Sequence, residues 1–353
     1  MRAILIINPN SGASMFAPDQ NKPEQQEEQI VTTLREQGVE IEVRHTTPED
    51  PGSRLAKQAA EEDVDIVIAA GGDGTIHAVA AGLIGTKGTL GILPVGTMNN
   101  VARSLQIPEK IDEACEIITR GTTRRMDVGK INDRVFLEVA GVGLEAALFP
   151  AAEDLKKRGL LTTLRGILGG IGTLFDFQPT RFKIAFDERR DHTYHALQVS
   201  VCNTPYYGAH LQFAPGALMD DGLLDVLIYK NFSKLEYLRH AFSISQGRRA
   251  LVPKITRRKA KLVRISASTP VKIHADGDWQ GETPAIINVI PGALHVRVPE
   301  QVATGPNVSN PKTKRTRHHR RARSSDLFKK NELTRTDEHQ NEHVEEKGSL
   351  YAR

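Results

Sequence analysis

Five residues first raise the question of chemistry. Gly71, Gly72, Asp73, Gly74 and Thr75 follow directly on the apolar run Ile66 to Ala70 and precede a helical pattern. At the carboxyl end of a buried parallel strand, glycines let the backbone approach a phosphate closely, and the free N–H groups of the next helix point outward. Thr75 can cap that helix and offers a hydroxyl. Asp73 is the odd member, because a carboxylate repels phosphate unless a cation or a proton stands between them. The carboxylate therefore calls for a metal. A plain Asp-Gly turn is the alternative reading of the same residues.

Two further loops have a related composition: NPNSG after the first strand pattern and PVGTMNN after the fourth. Together the three loops predict a phosphate-binding cleft whose neutral donors are Asn8, Ser11, Gly72, Thr75, Gly96, Thr97 and Asn99. Neither GxxxxGK[ST] nor GxGxxG occurs, which argues against P-loop and dinucleotide-oxidoreductase readings.

The elements that must position these loops follow from periodicity. Up to about residue 125, apolar strand runs alternate with amphipathic helical stretches, including a helical pattern from Asn99 to Arg120. That order predicts an α/β domain with a doubly wound parallel sheet. From Arg125 the pattern becomes a series of short strands, interrupted by helical matter near 151–175 and 233–247, so a β-rich, sandwich-like second domain is expected. The expected divisions are 1–125, 126–300, with a final strand that can return to the first domain, and a disordered polar tail from 301 to 353.

Bulk properties exclude several classes. A chain of 353 residues has room for two domains. No run approaches the roughly 20 apolar residues of a membrane span, and the N-terminal apolar run is too short for a signal peptide. Cys115 and Cys202 are too few for a disulfide framework, which fits a reducing cytoplasm. The net charge of +4 is unevenly placed: residues from Gly305 onward hold 12 Lys and Arg against 7 Asp and Glu. The body is thus close to neutral. Within the tail, residues 312–323 (KTKRTRHHRRAR) hold seven basic side chains and no aromatic one, so the run reads first as a solvated extension; an anionic membrane or, by counterion release, nucleic acid would attract it, and base stacking is not indicated.

The motifs NPNSG, GGDGT, PVGTMNNVARSL, LMDDGLLDV and ADGDWQGETP, in this order, resemble those of the diacylglycerol kinase catalytic-domain lipid kinases, which include bacterial diacylglycerol kinases and sphingosine kinases. The resemblance covers about residues 1 to 299. It implies transfer of the γ-phosphoryl group of ATP to a lipid hydroxyl, with ATP between a nucleotide domain and a β-sandwich. It further implies Asn8, Thr46, Gly71 to Thr75 and Thr97 around ATP, and Asp73 in a catalytic Mg²⁺ network. A separate structural Mg²⁺ is implied at the Asp221 carboxylate and the main-chain oxygens of Leu218 and Leu223, where the residues alone read as a surface turn. By position Asp278 is the base that takes the acceptor proton, with Asp276 in support; a hairpin turn is the alternative.

Three positions depart from the family pattern. Relatives usually carry glutamate where this chain has Asp278, one methylene shorter, and misplacement by about 1 Å can cost roughly 100-fold in rate. Many carry a lysine soon after NPxSG, where Ala13 and Ser14 stand here, and Arg103 is a candidate replacement by proximity. Many carry aspartate at the place of Asn100. Residues 155–175, with Lys156, Lys157, Arg158 and Arg165 among apolar residues, are a candidate for membrane docking or a packed helix. Trp279 is expected to pack near the cleft, and Tyr206 and Tyr207 to line a lipid groove or fill the core. The expectation is therefore a cytoplasmic, peripherally membrane-associated lipid kinase that uses ATP and Mg²⁺. An NAD kinase and a non-catalytic lipid- or nucleotide-binding module are the rivals. A homodimer is compatible with the sequence, which sets no oligomeric state.

Overall fold

The computed structural model describes residues 1–9, 11, 22–148, 169–170, 172–208, 211–246 and 254–300. The amino-terminal half alternates β1 (Arg2–Ile7), α1 (Lys22–Glu36), β2 (Glu40–His45), α2 (Ser53–Ala59), β3 (Ile66–Gly71), α3 (Asp73–Leu83) and β4 (Thr89–Pro94). These strands are parallel, in the order β4-β3-β1-β2. Every residue of β3 is buried, as expected of a parallel strand covered on both faces. The chain steps from β1 outward to β2, then back across β1 to β3. Right-handed crossovers therefore put α1 on one face and α2 and α3 on the other. The reversal lies between β1 and β3, so the loops that follow these two strands flank the crevice where open sheets take ligands.

The helical pattern from Asn99 to Arg120 is two helices, α4 (Asn100–Ser104) and α5 (Ile111–Arg120). Gln106 at φ 58° and Pro108 break the run between them.

The carboxy-terminal half consists of β5 (Thr122–Ile131), β6 (Arg134–Phe136), β7 (Val139–Gly143), β8 (Thr180–Phe186), β9 (His192–Cys202), β10 (Leu224–Lys230), α6 (Lys234–Ser245), β11 (Ile255–Ala260), β12 (Leu262–Ala267), β13 (Lys272–Ala275), β14 (Asp278–Glu282) and β15 (Ala285–Val298). Among its own strands all pairing is antiparallel, and the ladder runs β14-β13-β7-β9-β8-β12-β15. The strands enclose a second core in which Phe136, Phe182, Val199, Val226, Val263, Ile273 and Ile287 are fully buried. The fold is thus α/β, a doubly wound half followed by a β-sandwich-like half.

β15 connects the two. Its first part pairs with β12 and β5, its register shifts between Ile290 and Leu294, and His295 and Val296 pair in parallel with β4. The sequence reads this stretch as two strands because Pro291 and Gly292 interrupt it. They instead form the bulge that lets one strand serve both halves.

Asp127 of β5 fixes that bulge. Its Oδ1 accepts the Gly292 N–H at 2.8 Å and its Oδ2 the Gly222 N–H at 2.6 Å. Burial pushes this carboxyl up from its ordinary range while the two N–H groups oppose the shift. Asp127→Ala would strand two N–H groups in a largely buried place, at a cost of about 2–4 kcal/mol. Urea denaturation is expected to show that loss as a lower midpoint at an unchanged m-value.

Candidate active site

The three loops meet at the carboxyl edge of the parallel sheet. Asn8 continues β1, its N–H donates to the Ala70 carbonyl at 3.1 Å, and its Nδ2 donates to Thr75 Oγ1 at 3.3 Å. The Ser11 N–H turns back onto the Asn8 carbonyl at 3.0 Å. Thr46, just past β2, donates its N–H to the Ile7 carbonyl at 3.0 Å. The loops after β3 and β4 touch backbone to backbone: a Cβ on Gly96 would lie 2.2 Å from the Gly72 Cα. A Cβ on Gly71 would run into the Thr75 side chain. Asn99 braces the second loop in the left-handed region (φ 51°). Its Oδ1 accepts the Gly96 N–H at 3.1 Å, and its Nδ2 donates to the Gly96 and Pro94 carbonyls at 3.0 and 3.3 Å. Gly74 and Thr97 are exposed. The first turn of α3 carries no side-chain cap, so its N–H groups are open to an anion.

Asp73 opens α3 and links it to α4, since its Oδ1 accepts the Val101 N–H at 3.1 Å. Burial pushes its carboxyl up, the N–H groups of α4 pull it down, and the charge of Asp276 adds to the rise. Two carboxylates from opposite halves of the molecule thus share one field.

Asp276 and Gly277, both at positive φ (45° and 100°), form the two-residue turn between β13 and β14. The Asp276 carboxylate accepts three main-chain N–H groups: Leu137 at 2.6 Å on Oδ2, and Glu138 and Val139 at 2.9 Å each on Oδ1. Its Oδ2 also lies 3.8 Å from Nε2 of His77, one helical turn after Asp73. Asp276 is therefore occupied as a clamp. Asp278, the first residue of β14, is exposed, and its carboxylate takes no hydrogen bond among the described residues.

The predicted metal positions differ in kind. Among the described residues no three His, Cys, Asp or Glu side chains converge on one point. Mg²⁺ commonly needs fewer, since it binds one or two carboxylates plus substrate phosphates and keeps its waters. Asp73 at the cleft fits that demand. The Asp221 position does not: Oδ1 accepts the Leu223 N–H at 3.0 Å, and Oδ2 lies 2.6 Å from the Lys259 ammonium, which also reaches Asp225 at 3.2 Å. An internal cation already serves that carboxylate. Leu218 lies in the same loop.

Arg103 does not turn to the phosphate loops; it pairs with Glu109 at 3.2 Å and lies over the Tyr206 ring. Tyr207 belongs to a buried cluster and stacks on His274. Trp279 is 70% exposed instead of packed, because β14 is the outermost strand of its ladder. Ala13, Ser14, residues 155–168 and the tail with its basic run lie outside the described residues. The roles of His77, Asp127 and Lys259 escape sequence reasoning, since each acts on a partner far along the chain.

Gly96→Ala tests the contact between loops. The added methyl must part the two loops, and titration calorimetry with ATP is expected to show at least a tenfold weaker affinity. Gly74→Ala meets nothing within 4 Å and should leave the fold intact.

Comparison with known proteins completes the site. Residues 2–131 match the family described as "Diacylglycerol kinase catalytic domain", and residues 138–298 match the "YegS C-terminal NAD kinase beta sandwich-like domain". A diacylglycerol kinase of Bacillus subtilis (strain 168) is 31% identical over 306 residues, covering 86% of this chain and 98% of the relative. One from Staphylococcus aureus (strain bovine RF122 / ET3-1) is 28% identical over 316 residues, covering 88% and 96%. The crystal structure of a candidate diacylglycerol kinase from Bacillus anthracis str. Sterne superposes with a TM-score of 0.69 at 26% identity, covering 86% of this chain and 98% of that one. On these matches the chain belongs to the diacylglycerol kinase catalytic-domain family of lipid kinases.

Proposed function

We propose that this chain transfers the γ-phosphoryl group of ATP to the hydroxyl of diacylglycerol or a closely related lipid alcohol. One observation supports the reading above others: the Asp276 clamp fixes the β13–β14 turn beside His77, a single helical turn from the phosphate loop, and leaves Asp278 free two residues on. Family membership sets the chain apart from NAD kinases.

In the proposed reaction the N–H groups of Gly72 to Thr75 and of Gly96 and Thr97 hold the triphosphate, with Asn8 bracing Thr75. Mg²⁺, when bound at Asp73, would neutralise charge on the phosphates. The Asp278 carboxylate accepts the proton of the acceptor hydroxyl as its oxygen attacks the γ-phosphorus in line with the departing ADP oxygen. Asp276 holds the turn through the three main-chain N–H groups that its carboxylate accepts. Two buried free cysteines are in keeping with a reducing cytoplasm, and no helix among the described residues is long and apolar enough to cross a membrane. The lipid acceptor is then met at a bilayer surface.

Labelled ATP with diacylglycerol in mixed micelles should yield labelled phosphatidic acid. A non-catalytic module would yield none from any lipid extract. Asp278→Asn is expected to lower kcat by about 10²–10⁴-fold with an unchanged melting temperature. Asp276→Asn, which can offer only one accepting oxygen, should instead lower stability by about 1–3 kcal/mol.

The raised Asp73 carboxyl also sets a pH dependence. Mg²⁺ requires the ionised form, and a raised pKa means ionisation is lost at a higher pH as acid is added. The acid limb of kcat/KM for ATP should therefore be displaced upward from that of an ordinary aspartate. Log-log profiles at saturating acceptor check this.

A further inference from the structure

α6 carries two apolar faces. Tyr237, His240 and Ile244 are buried against the body of the protein. Leu235, Leu238 and Phe242 are 68%, 45% and 70% exposed. At 3.6 residues per turn the exposed three fall within an arc of about 60°, opposite the buried three. Phe175, 58% exposed, adjoins them, with the Lys234 ammonium 6.0 Å from its ring centre. These four account for most of the large apolar side chains that the described residues expose. Scattered exposed leucines need no explanation; an aligned stripe does.

Charge selects the partner. On the helical wheel Lys234 and Arg239 border the stripe on either side. The one acid on the helix in described contact with this region, Glu236, is cancelled by Lys254 at 2.6 Å and by the Ser233 N–H, which hold its carboxyl down to about 2. A second copy of the chain seated on this face would bring like charges together. An anionic bilayer would take the apolar stripe among its acyl chains and the basic borders at its headgroups. Each basic residue near such a surface adds roughly fivefold to binding.

We infer that the Leu235–Leu238–Phe242 face of α6, with Phe175, is the surface by which this protein docks on anionic phospholipid bilayers. The inference rests on the lipid-kinase reading for its purpose, though the binding can be measured without it.

The test uses the full chain and sonicated vesicles of phosphatidylcholine with phosphatidylglycerol. Leu235→Ser/Leu238→Ser should reduce the vesicle partition coefficient at least tenfold, and Lys234→Glu/Arg239→Glu should reduce it on anionic but not on neutral vesicles. High salt screens simple charge attraction, so the partition that wild type retains at 0.5 M KCl is the part the leucine variant should lose. Turnover of a short-chain, monomeric diacylglycerol should stay within twofold in both variants. Unchanged partition of the leucine variant would overturn the inference. So would a shift from dimer to monomer on size exclusion at unchanged partition, which would make the face a homotypic interface. If wild type bound vesicles through this face but phosphorylated no lipid, the docking surface would stand and the kinase reading would fall.

Discussion

The structure turns on one buried carboxylate. Asp276 sits at the first position of a tight hairpin turn, in a left-handed conformation that aspartate tolerates better than most side chains. It receives three main-chain N–H groups from Leu137 to Val139. Hydrogen bonds to a charged acceptor are the strong kind, and three on one group tie β14 to the β6–β7 junction firmly. His77 of α3, its Nε2 3.1 Å from the Val135 carbonyl and 3.8 Å from the Asp276 Oδ2, brings the parallel half of the molecule to that point. The position of Asp278 relative to the loops that follow β3 and β4 follows from this arrangement.

The described donors around the loops are backbone N–H groups, amides and hydroxyls, Arg103 pairs with Glu109, and the charge of Asp276 acts on Asp73. At the Asp221 turn, by contrast, Lys259 is a built-in cation holding two carboxylates. Glycine stands against glycine at 72 and 96, and a side chain at 96 would collide with the loop that follows β3.

Legibility in the sequence followed the range of the interactions. The βαβ order and the three loops were readable because a parallel strand buried on both faces is an unbroken apolar run, and its ligand loop must begin where that run stops. β15 was not readable as one strand: Pro291 and Gly292 carry a local break signal, and only pairing with Asp127, over 160 residues away, turns the break into a bulge. Pro108 worked in the other sense, dividing a helical pattern that apolar periodicity alone joined. The ADGD turn announced itself as a hairpin and as a catalytic motif, and it is a hairpin by geometry. That Asp276 clamps while Asp278 stays free depends on N–H groups of residues 137–139, which no spacing within the motif reveals.

Trp279, the sole tryptophan of the chain, stands next to Asp278 and is largely exposed, so it reports on the β13–β14 turn directly. Energy transfer from Trp279 to an anthraniloyl-labelled ATP bound with Mg²⁺ measures whether nucleotide and turn share one cleft. The expected result is strong sensitised emission that saturates with nucleotide and is chased by unlabelled ATP. Saturable binding seen by equilibrium dialysis without energy transfer would place the nucleotide elsewhere and contradict the account.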